Sequence, residues 1–571
     1  MPGAVERAAK RDPRGGAAPT MLAGRLPRMR FSGRDLFRAA QSRLQLDAVT
    51  VFIALAWFVA VIAAILWTWG LDPQVTLMPD EVVNRLAAQL LRANGSLLMP
   101  LPFEDPEDLA HPRFWISVGD HAVPAYAPLA IYWFAFWLRF GKLGLVMILA
   151  LPAGAVAAFA AGIAKLLPSD RRWLALTAPL LGGPALYWLM RPWMNVSPLL
   201  SCLCLAFFCW ASWRRSNDPR WLSGAAAFVG GAVAVRPDYA VYLFVPALLV
   251  GLAAGAEHRK RVIVSILAAG SAAVAVNLLL NKWTTGDPLT AAYQIQLARN
   301  EGGDTEPRAG LARRLLGLLV QLLAPMGVPT IETALRFLGN YWFRLGSIAG
   351  LTLAQLALVP LLLRQPRSKQ WLYGLALLVL VGFMLSRMDE TLFGASTEVS
   401  SLDHSIPRYW SPIYLLAALP PILFLARAGT RAVVIAGSAA LIWLSAANAY
   451  DICAGTRWSL VDLKRFREKK TALLDSLVRT IPEGAIVYTA THDKVLWQKW
   501  RVGTIDQPAA TAKSIRRAFK AGNEVFVFEP AYPPQELKAL SRALRRRGLA
   551  LDAAGKRDLS HIVKRKKKRA R

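Results

Sequence analysis

Two acidic residues stand side by side at Pro79-Asp80-Glu81, directly ahead of the run VVNRLAAQLLRANG. A carboxylate placed there can take the proton from an attacking hydroxyl, the chemistry of a general base. The run predicts a helix: Val82, Leu86 and Leu90 with Val83, Ala87 and Leu91 share one side, while Asn84, Arg85 and Arg92 turn away from it. Asn94-Gly95 ends it. Asp80 is expected at the N-cap, a place that favours Asp for its own sake. Glu81 is the second candidate base. Three arginines form the other candidate set. Arg191 follows Tyr187-Trp188, Arg236 stands in Val-Arg-Pro-Asp, and Arg408-Tyr409 has Asp403 and His404 just upstream. A guanidinium can clamp a phosphate with paired donors; each of these arginines reads equally as an interfacial anchor. Together on one rim they suit an anionic phosphate better than a neutral ligand.

The elements that must hold these residues are membrane helices. Apolar runs long enough to span a bilayer recur from Val51 to Ala447. Their short connections alternate between basic and nearly uncharged. The basic ones hold Lys165, Arg171 and Arg172; Arg214, Arg215 and Arg220; Arg259, Lys260 and Arg261; Arg364, Arg367 and Lys369; and Arg427 and Arg431. Short cationic loops resist translocation, so all of these belong at the cytoplasmic face.

The stretch Leu129–Leu138 breaks this alternation if it crosses. It is about ten residues long where a spanning helix needs roughly 20. It is rich in aromatic residues, with Tyr126 just before it and Tyr132, Trp133 and Trp137 within it, and Pro124 and Pro128 interrupt its start. A helix lying at the outer interface fits it better. About eleven spans then remain: Val51–Trp67, Leu145–Leu166, Leu174–Met190, Leu199–Trp213, Leu222–Val235, Ala240–Ala254, Val262–Leu280, Leu345–Leu363, Leu372–Leu385, Tyr414–Ala426 and Val433–Ala447. Backbone groups in lipid must bond internally, so these are helices.

The expected fold is an all-α multi-pass membrane bundle with an outer interfacial helix and a small C-terminal α/β domain. Residues 1–47 form a basic cytoplasmic arm without an apolar signal core. Residues 48–450 form the bundle, with outer loops at 70–144, 281–344 and 386–412. Residues 451–556 form the α/β domain on the outer side, and 557–571 a basic tail. In the α/β domain, strand patterns at Ala485–Thr489, Arg501–Ile505 and Glu524–Phe528 alternate with helical ones at Ala512–Ala521 and Pro534–Arg546. It shows no glycine-rich phosphate loop and no nucleophile triad, and no catalysis is assigned to it.

Composition agrees. Of 571 residues, 55% are hydrophobic, as a polytopic domain with one small soluble domain requires. The net charge of +31 lies largely in topogenic loops and at the two ends, so it does not call for nucleic acid as a partner. Cys202, Cys204 and Cys209 share one apolar span and Cys453 stands apart, so neither a disulfide framework nor a zinc spacing is present.

The arrangement resembles the GT-C glycosyltransferases of the mannosyl- and aminoarabinosyl-transferase type. The resemblance runs over residues 48–426. Its pieces are Asp80-Glu81 heading an amphipathic helix, Pro124-Ala-Tyr126-Ala-Pro128-Leu129 before the interfacial helix, and Tyr187–Arg191 closing the third span. Arg236-Pro237, Asn281 with Gly286-Asp287-Pro288, and Pro407-Arg408-Tyr409 complete it. It implies a polyprenyl-phosphate sugar as donor, used at the outer membrane face, whereas the threading of about eleven spans between basic loops puts the N-terminus inside and the C-terminus outside the cytoplasmic membrane. It implies Asp80 as base or acceptor-orienting acid and Arg236 on the donor phosphate. Arg408 and Arg191 are expected to assist on phosphate. Tyr126, Asp403 and His404 are expected on the acceptor, a saccharide, lipid or protein. Relatives often carry a second acid shortly after the arginine that closes the third span. Here the chain reads Arg191-Pro-Trp-Met-Asn195-Val-Ser197, so neither a metal nor another cofactor is expected.

Two other classes compete. A transporter or flippase would place ionisable residues midway through several spans, and almost none stand there. A catalytically inactive envelope-assembly protein would tolerate loss of Asp80. The threading itself has a direct check. A reporter fused after Ala447 is expected to read as periplasmic and one between Leu166 and Leu174 as cytoplasmic; a cytoplasmic reading after Ala447 would make Leu129–Leu138 a true span.

Overall fold

A computed structural model describes residues 47–71, 79–104, 109–112, 114–118, 120–126, 128–253, 258–292, 295, 330–338, 357–386, 405–455, 458–490, 492–497, 499–530, 533–554 and 558–564. Most of them are helical. The Ala48–Trp69 helix has 22 residues, about 33 Å at 1.5 Å per residue, enough for the hydrocarbon core. Its Ile53, Val61, Ile65 and Trp69 are buried, while Phe52, Leu55, Val59 and Leu66 face outward. An apolar helix with an apolar outer face suits lipid, not water.

Among the described residues, five stretches have the length and apolarity to cross a membrane: Ala48–Trp69, Gly141–Leu166, Val196–Ser216, Arg259–Thr285 and one beginning at Arg431. Four further apolar helices, Pro128–Leu138, Arg220–Val235, Pro237–Leu252 and Lys369–Leu385, are shorter. The expectation of about eleven full spans is not matched one for one among the described residues. Proline is one reason, since it lacks an N–H and clashes with the preceding turn. The third expected span is divided into Ser169–Leu176, Ala178–Leu181 and Gly183–Leu189, with Pro179 and Pro184 opening the second and third pieces. The tenth is divided into Ser405–Ala417 and Leu419–Leu425, before Pro420-Pro421. Most of the expected span Leu345–Leu363 lies outside the described residues.

Close packing joins these helices. A Cβ on Gly230 would meet Ala269 Cβ at 2.9 Å and its carbonyl oxygen at 3.0 Å, so the Arg220–Val235 and Arg259–Thr285 backbones approach through glycine. The Pro128–Leu138 helix has 11 residues, roughly 16 Å, too short to cross. It packs against both the Pro79–Asn94 and Gly141–Leu166 helices, burying Ala130, Ile131, Phe134, Ala135 and Leu138.

The segment between the Pro79–Asn94 and Pro128–Leu138 helices holds a small sheet that the all-α expectation for residues 48–450 omits. Strands β1 (Met99–Pro100), β2 (Trp115–Val118) and β3 (His121–Pro124) lie in the order β1-β3-β2, all antiparallel. The β2–β3 register, Trp115 opposite Pro124, delivers the chain straight to Tyr126.

The C-terminal region carries strands β4 (Ile486–Thr489), β5 (Arg501–Thr504), β6 (Val525–Phe528), β7 (Leu549–Ala553) and β8 (Leu559–Lys564) in the order β5-β4-β6-β8-β7. The first three are parallel; β8 runs antiparallel to both β6 and β7. Strand β8 thus takes up residues 559–564 of the segment 557–571 expected as tail. Leu474 and Leu477 of the Leu460–Val478 helix pack with Val487, Val502, Phe526 and Phe528 on one face. Ala512, Ile515, Leu540 and Leu544, from the Pro508–Lys520 and Pro534–Arg545 helices, cover Ile486, Tyr488, Val525 and Val527 on the other. Ile452, Leu460 and Leu463 belong to the same core as the membrane helices.

One histidine gives this region a pH dependence. His492 packs edge-on to Phe528, 5.4 Å between ring centres, and Lys470 Nζ lies 2.9 Å from its Nε2. Burial, and after it the Lys470 ammonium, push its pKa from 6.5 down to about 4. The unfolded chain takes up this proton near pH 6.5 while the folded chain stays neutral until about 4, so folding loses stability as pH falls through that window. Thermal unfolding followed from pH 7 to pH 4.5 is expected to show a falling midpoint. His492→Gln is expected to flatten that fall; an unchanged slope would remove His492 as its source.

Candidate active site

Asp80 enters the site through the local fold of its helix. The helix begins at Pro79, so Asp80 lies in its first turn and not at the expected cap. Proline suits that first position because its missing N–H would be unpaired anyway. Asp80 and Glu81 both occupy the turn where free N–H groups and the helix dipole favour negative charge. Their surroundings then separate them.

The Asp80 carboxylate is held from two sides. Tyr126 Oη donates to Oδ1 and Arg408 Nη1 donates to Oδ2. The side chains of Asp80 and Arg408 are 8% and 13% exposed, so the pair meets solvent only at its edge. Burial, then the Asp80 charge, raise the Tyr126 pKa well above its ordinary value, and the phenol therefore stays protonated and a donor. Its ring stacks on Phe114 at 5.7 Å, and Ala125 N donates to the Phe114 carbonyl at 2.9 Å.

Glu81 turns the other way. Arg191 Nε donates to its Oε1 at 2.7 Å, with both side chains inaccessible at 0% and 1%. Arg191 also donates to Tyr187 Oη at 3.3 Å and lies over the rings of Trp188, Trp69 and Tyr187 at 5.1, 5.8 and 5.8 Å. Glu81, expected as a second base, and Arg191, expected on phosphate, therefore occupy the interior as a structural pair. Trp69 Nε1 donates to Met190 O at 3.1 Å and Asn84 Nδ2 to Trp193 O at 3.0 Å. These bonds tie the first span and the Asp80 helix to the end of the third.

Arg236 ends its helix with φ −138° and ψ 83°, freed from helical geometry by the proline that follows. Its guanidinium grips Asp238 with both ends, Nε to Oδ1 at 3.0 Å and Nη2 to Oδ2 at 2.8 Å, and donates from Nη1 to Asn195 Oδ1 at 3.3 Å. The Tyr409 ring joins the two cationic centres: Arg408 lies 4.9 Å from its centre and Arg236 5.5 Å. Tyr239 Oη fixes that segment by donating to Tyr409 O at 3.1 Å. The rim thus gathers Asp80, Tyr126, Arg408, Tyr409, Arg236, Asp238 and Asn195. Asp403 and His404 lie outside the described residues.

Asp238 was passed over in reading the sequence; its two-residue spacing from Arg236 across a proline was the available signal. Asn195, noted there only for lacking a charge, proves to be a partner of Arg236. Among the described residues, no group of three or more His, Cys, Asp and Glu side chains is placed to hold a metal ion.

No family model matches the chain, and no curated protein matches it. Solved structures similar to it include ArnT from Cupriavidus metallidurans bound to undecaprenyl phosphate, 15% identical, with 89% of this chain and 98% of that one covered at a TM-score of 0.41. The same protein in the apo state is 16% identical at a TM-score of 0.40, with 89% and 98% covered.

The buried pair makes a quantitative prediction. Removing one partner strands the other as an uncompensated buried charge, at a cost of about 3–5 kcal/mol, whereas replacing both with apolar residues is often near neutral. Glu81→Leu and Arg191→Met are each expected to lower the unfolding midpoint in detergent strongly, and the double variant by less than the sum. Additive losses would show that the two side chains are not coupled.

Proposed function

We propose that this chain is a membrane glycosyltransferase that moves a sugar from a polyprenyl-phosphate donor to an acceptor hydroxyl at the outer face of the cytoplasmic membrane. The observation that carries this reading is the carboxylate at Asp80, gripped by Tyr126 and Arg408 and set across the Tyr409 ring from a second guanidinium, Arg236. A base and a phosphate-binding cation are the two groups that transfer from a phosphate ester needs.

In the proposed step the acceptor hydroxyl displaces Tyr126 from Oδ1 and gives its proton to Asp80. The acceptor oxygen forms a bond to the anomeric carbon while the bond from that carbon to the phosphate oxygen breaks, its electron pair leaving on the phosphate. Configuration inverts in such a single displacement. Arg236, with Arg408, stabilises the growing charge on the leaving group. The leaving group is already a phosphate, so little acid catalysis is required. We assign charge neutralisation to these arginines and propose no metal or other cofactor.

The electrostatics set a condition on the donor. Arg236 faces Asp238 and Arg408 faces Asp80, so each cation already has a carboxylate partner. A ligand must therefore outcompete Asp238, whose side chain is 28% exposed and the most accessible of the four. A phosphate offers several oxygens in the fork geometry that guanidinium prefers, so it can displace a single carboxylate where a neutral headgroup cannot.

Asp80→Asn keeps the shape but removes the base, together with one of the two acceptor oxygens that hold Tyr126 and Arg408. General-base catalysis is worth about 10²–10⁴-fold, and transfer of labelled sugar to membrane acceptors is expected to fall by that factor with normal insertion. Arg236→Ala is expected to weaken binding of undecaprenyl phosphate instead. Retention of full transfer by Asp80→Asn would exclude the carboxylate mechanism and favour an assembly role.

A further inference from the structure

The C-terminal region does not simply sit beside the membrane helices; it touches the structure that presents Asp80. Trp115 of β2 meets Trp497 edge-on at 4.6 Å. Thr504, at the end of β5, donates from its backbone N to Leu109 O at 2.7 Å and from Oγ1 to His111 O at 2.9 Å. The short Asp493–Leu496 helix packs on the Pro79–Asn94 helix. Near the membrane, Lys464 Nζ stands 4.5 Å from the Trp67 ring centre.

One contact runs inward from this interface. Tyr187 Oη donates to the Trp458 carbonyl at 3.0 Å, and the same oxygen accepts from Arg191 Nη1 at 3.3 Å. Arg191 in turn holds Glu81, the neighbour of Asp80. A continuous chain of hydrogen bonds thus links the start of the C-terminal region to the first turn of the Asp80 helix. Trp458 supplies a second, independent observation. Its φ is +71°, a left-handed conformation that a bulky side chain keeps only where its surroundings impose it. Ring stacking on Phe466 at 4.6 Å and the following Ser459 cap on the Leu460–Val478 helix hold it there. In that conformation its carbonyl meets Tyr187.

We infer that Tyr187 is a positioning residue through which docking of the C-terminal region, at the Trp458 carbonyl, sets the orientation of Arg191, Glu81 and so of the helix that presents Asp80. The inference rests on the glycosyltransferase reading for its kinetic consequence but not for its structural one. The hydroxyl is the essential group, because it alone both accepts from Arg191 and donates to Trp458. The Tyr187 ring continues to pack when the hydroxyl is removed, so Tyr187→Phe isolates the link.

The test joins hydrogen exchange with kinetics on the full-length protein in detergent. In Tyr187→Phe, exchange protection is expected to fall in both Pro79–Asn94 and Leu460–Val478, while Ala48–Trp69 stays as in the wild type. Turnover is expected to fall about tenfold, as a small misplacement of a catalytic group entails. KM for the polyprenyl-phosphate sugar is expected to hold within about twofold, because the lost group does not bind donor. Unchanged exchange in either helix would overturn the inference, as would unchanged turnover or a loss confined to KM. A wild-type chain that transfers no sugar would defeat the glycosyltransferase reading instead, and the exchange measurement would still decide whether the link exists.

Discussion

The Glu81–Arg191 ion pair fixes where the adjacent Asp80 carboxylate stands. Both partners are withdrawn from solvent, and a buried charge without its partner is strongly destabilising, so this turn of helix has little freedom to rotate. Consecutive residues on a helix point about 100° apart. Once Glu81 is directed inward to Arg191, Asp80 has to face the rim where Tyr126 and Arg408 wait. The aromatic box of Trp69, Tyr187 and Trp188 around Arg191 reinforces this, because guanidinium tolerates an apolar, stacked setting better than ammonium does. Two neighbouring acids thus divide their roles: one holds the helix in place and the other is presented.

The rim depends on compensation of charge. Arg408 and Arg236 lie close across one tyrosine ring, and in an apolar setting two cations would repel each other. Asp80 and Asp238 relieve that repulsion. On the proposed reading the same carboxylates would make the site selective, since a ligand would have to bring negative charge of its own. Asn195 contributes by being neutral: an acid at that position would add a second strong partner for Arg236 and hold it more firmly than Asp238 alone.

How much of this was legible beforehand follows from what each signal depends on. Asp80, Arg236 and Arg408 were legible because they interrupt or border apolar runs, and a charge at a membrane rim is conspicuous in a linear sequence. The parallel strands of the C-terminal sheet were legible from short apolar runs alternating with amphipathic helices. Strands β7 and β8 were not: Leu549–Ala553 alternates only weakly, and β8 is written in a segment rich in lysine and arginine. The outer β2–β3 hairpin was missed for a different reason. Its strands are four residues each, and Gly119-Asp120 between them was the available turn signal. The fate of Glu81 and Arg191 could not be read at all, because their pairing joins residues 110 positions apart and depends on how the Pro79–Asn94 helix packs against the end of the third span. Sequence position placed Arg191 at the rim; packing buried it.

Strain falls at the same boundaries. Among the described residues, non-glycine positions with positive φ are Phe114, Asn217 and Trp458. Asn217 closes the Val196–Ser216 helix, a usual place for asparagine in that conformation. The other two are bulky aromatics, and neither conformation is one that local preference would choose. Phe114 stacks on Tyr126, which holds Asp80 from one side. Trp458 offers its carbonyl to Tyr187, which holds Arg191 and, through it, Glu81 from the other. Phe114 therefore stands two contacts, and Trp458 three, from the same helical turn. Local strain persists only where tertiary contacts outweigh it. Its placement here shows that those contacts converge on the turn carrying the two acids, and that the loop after the first span and the C-terminal region brace that turn jointly.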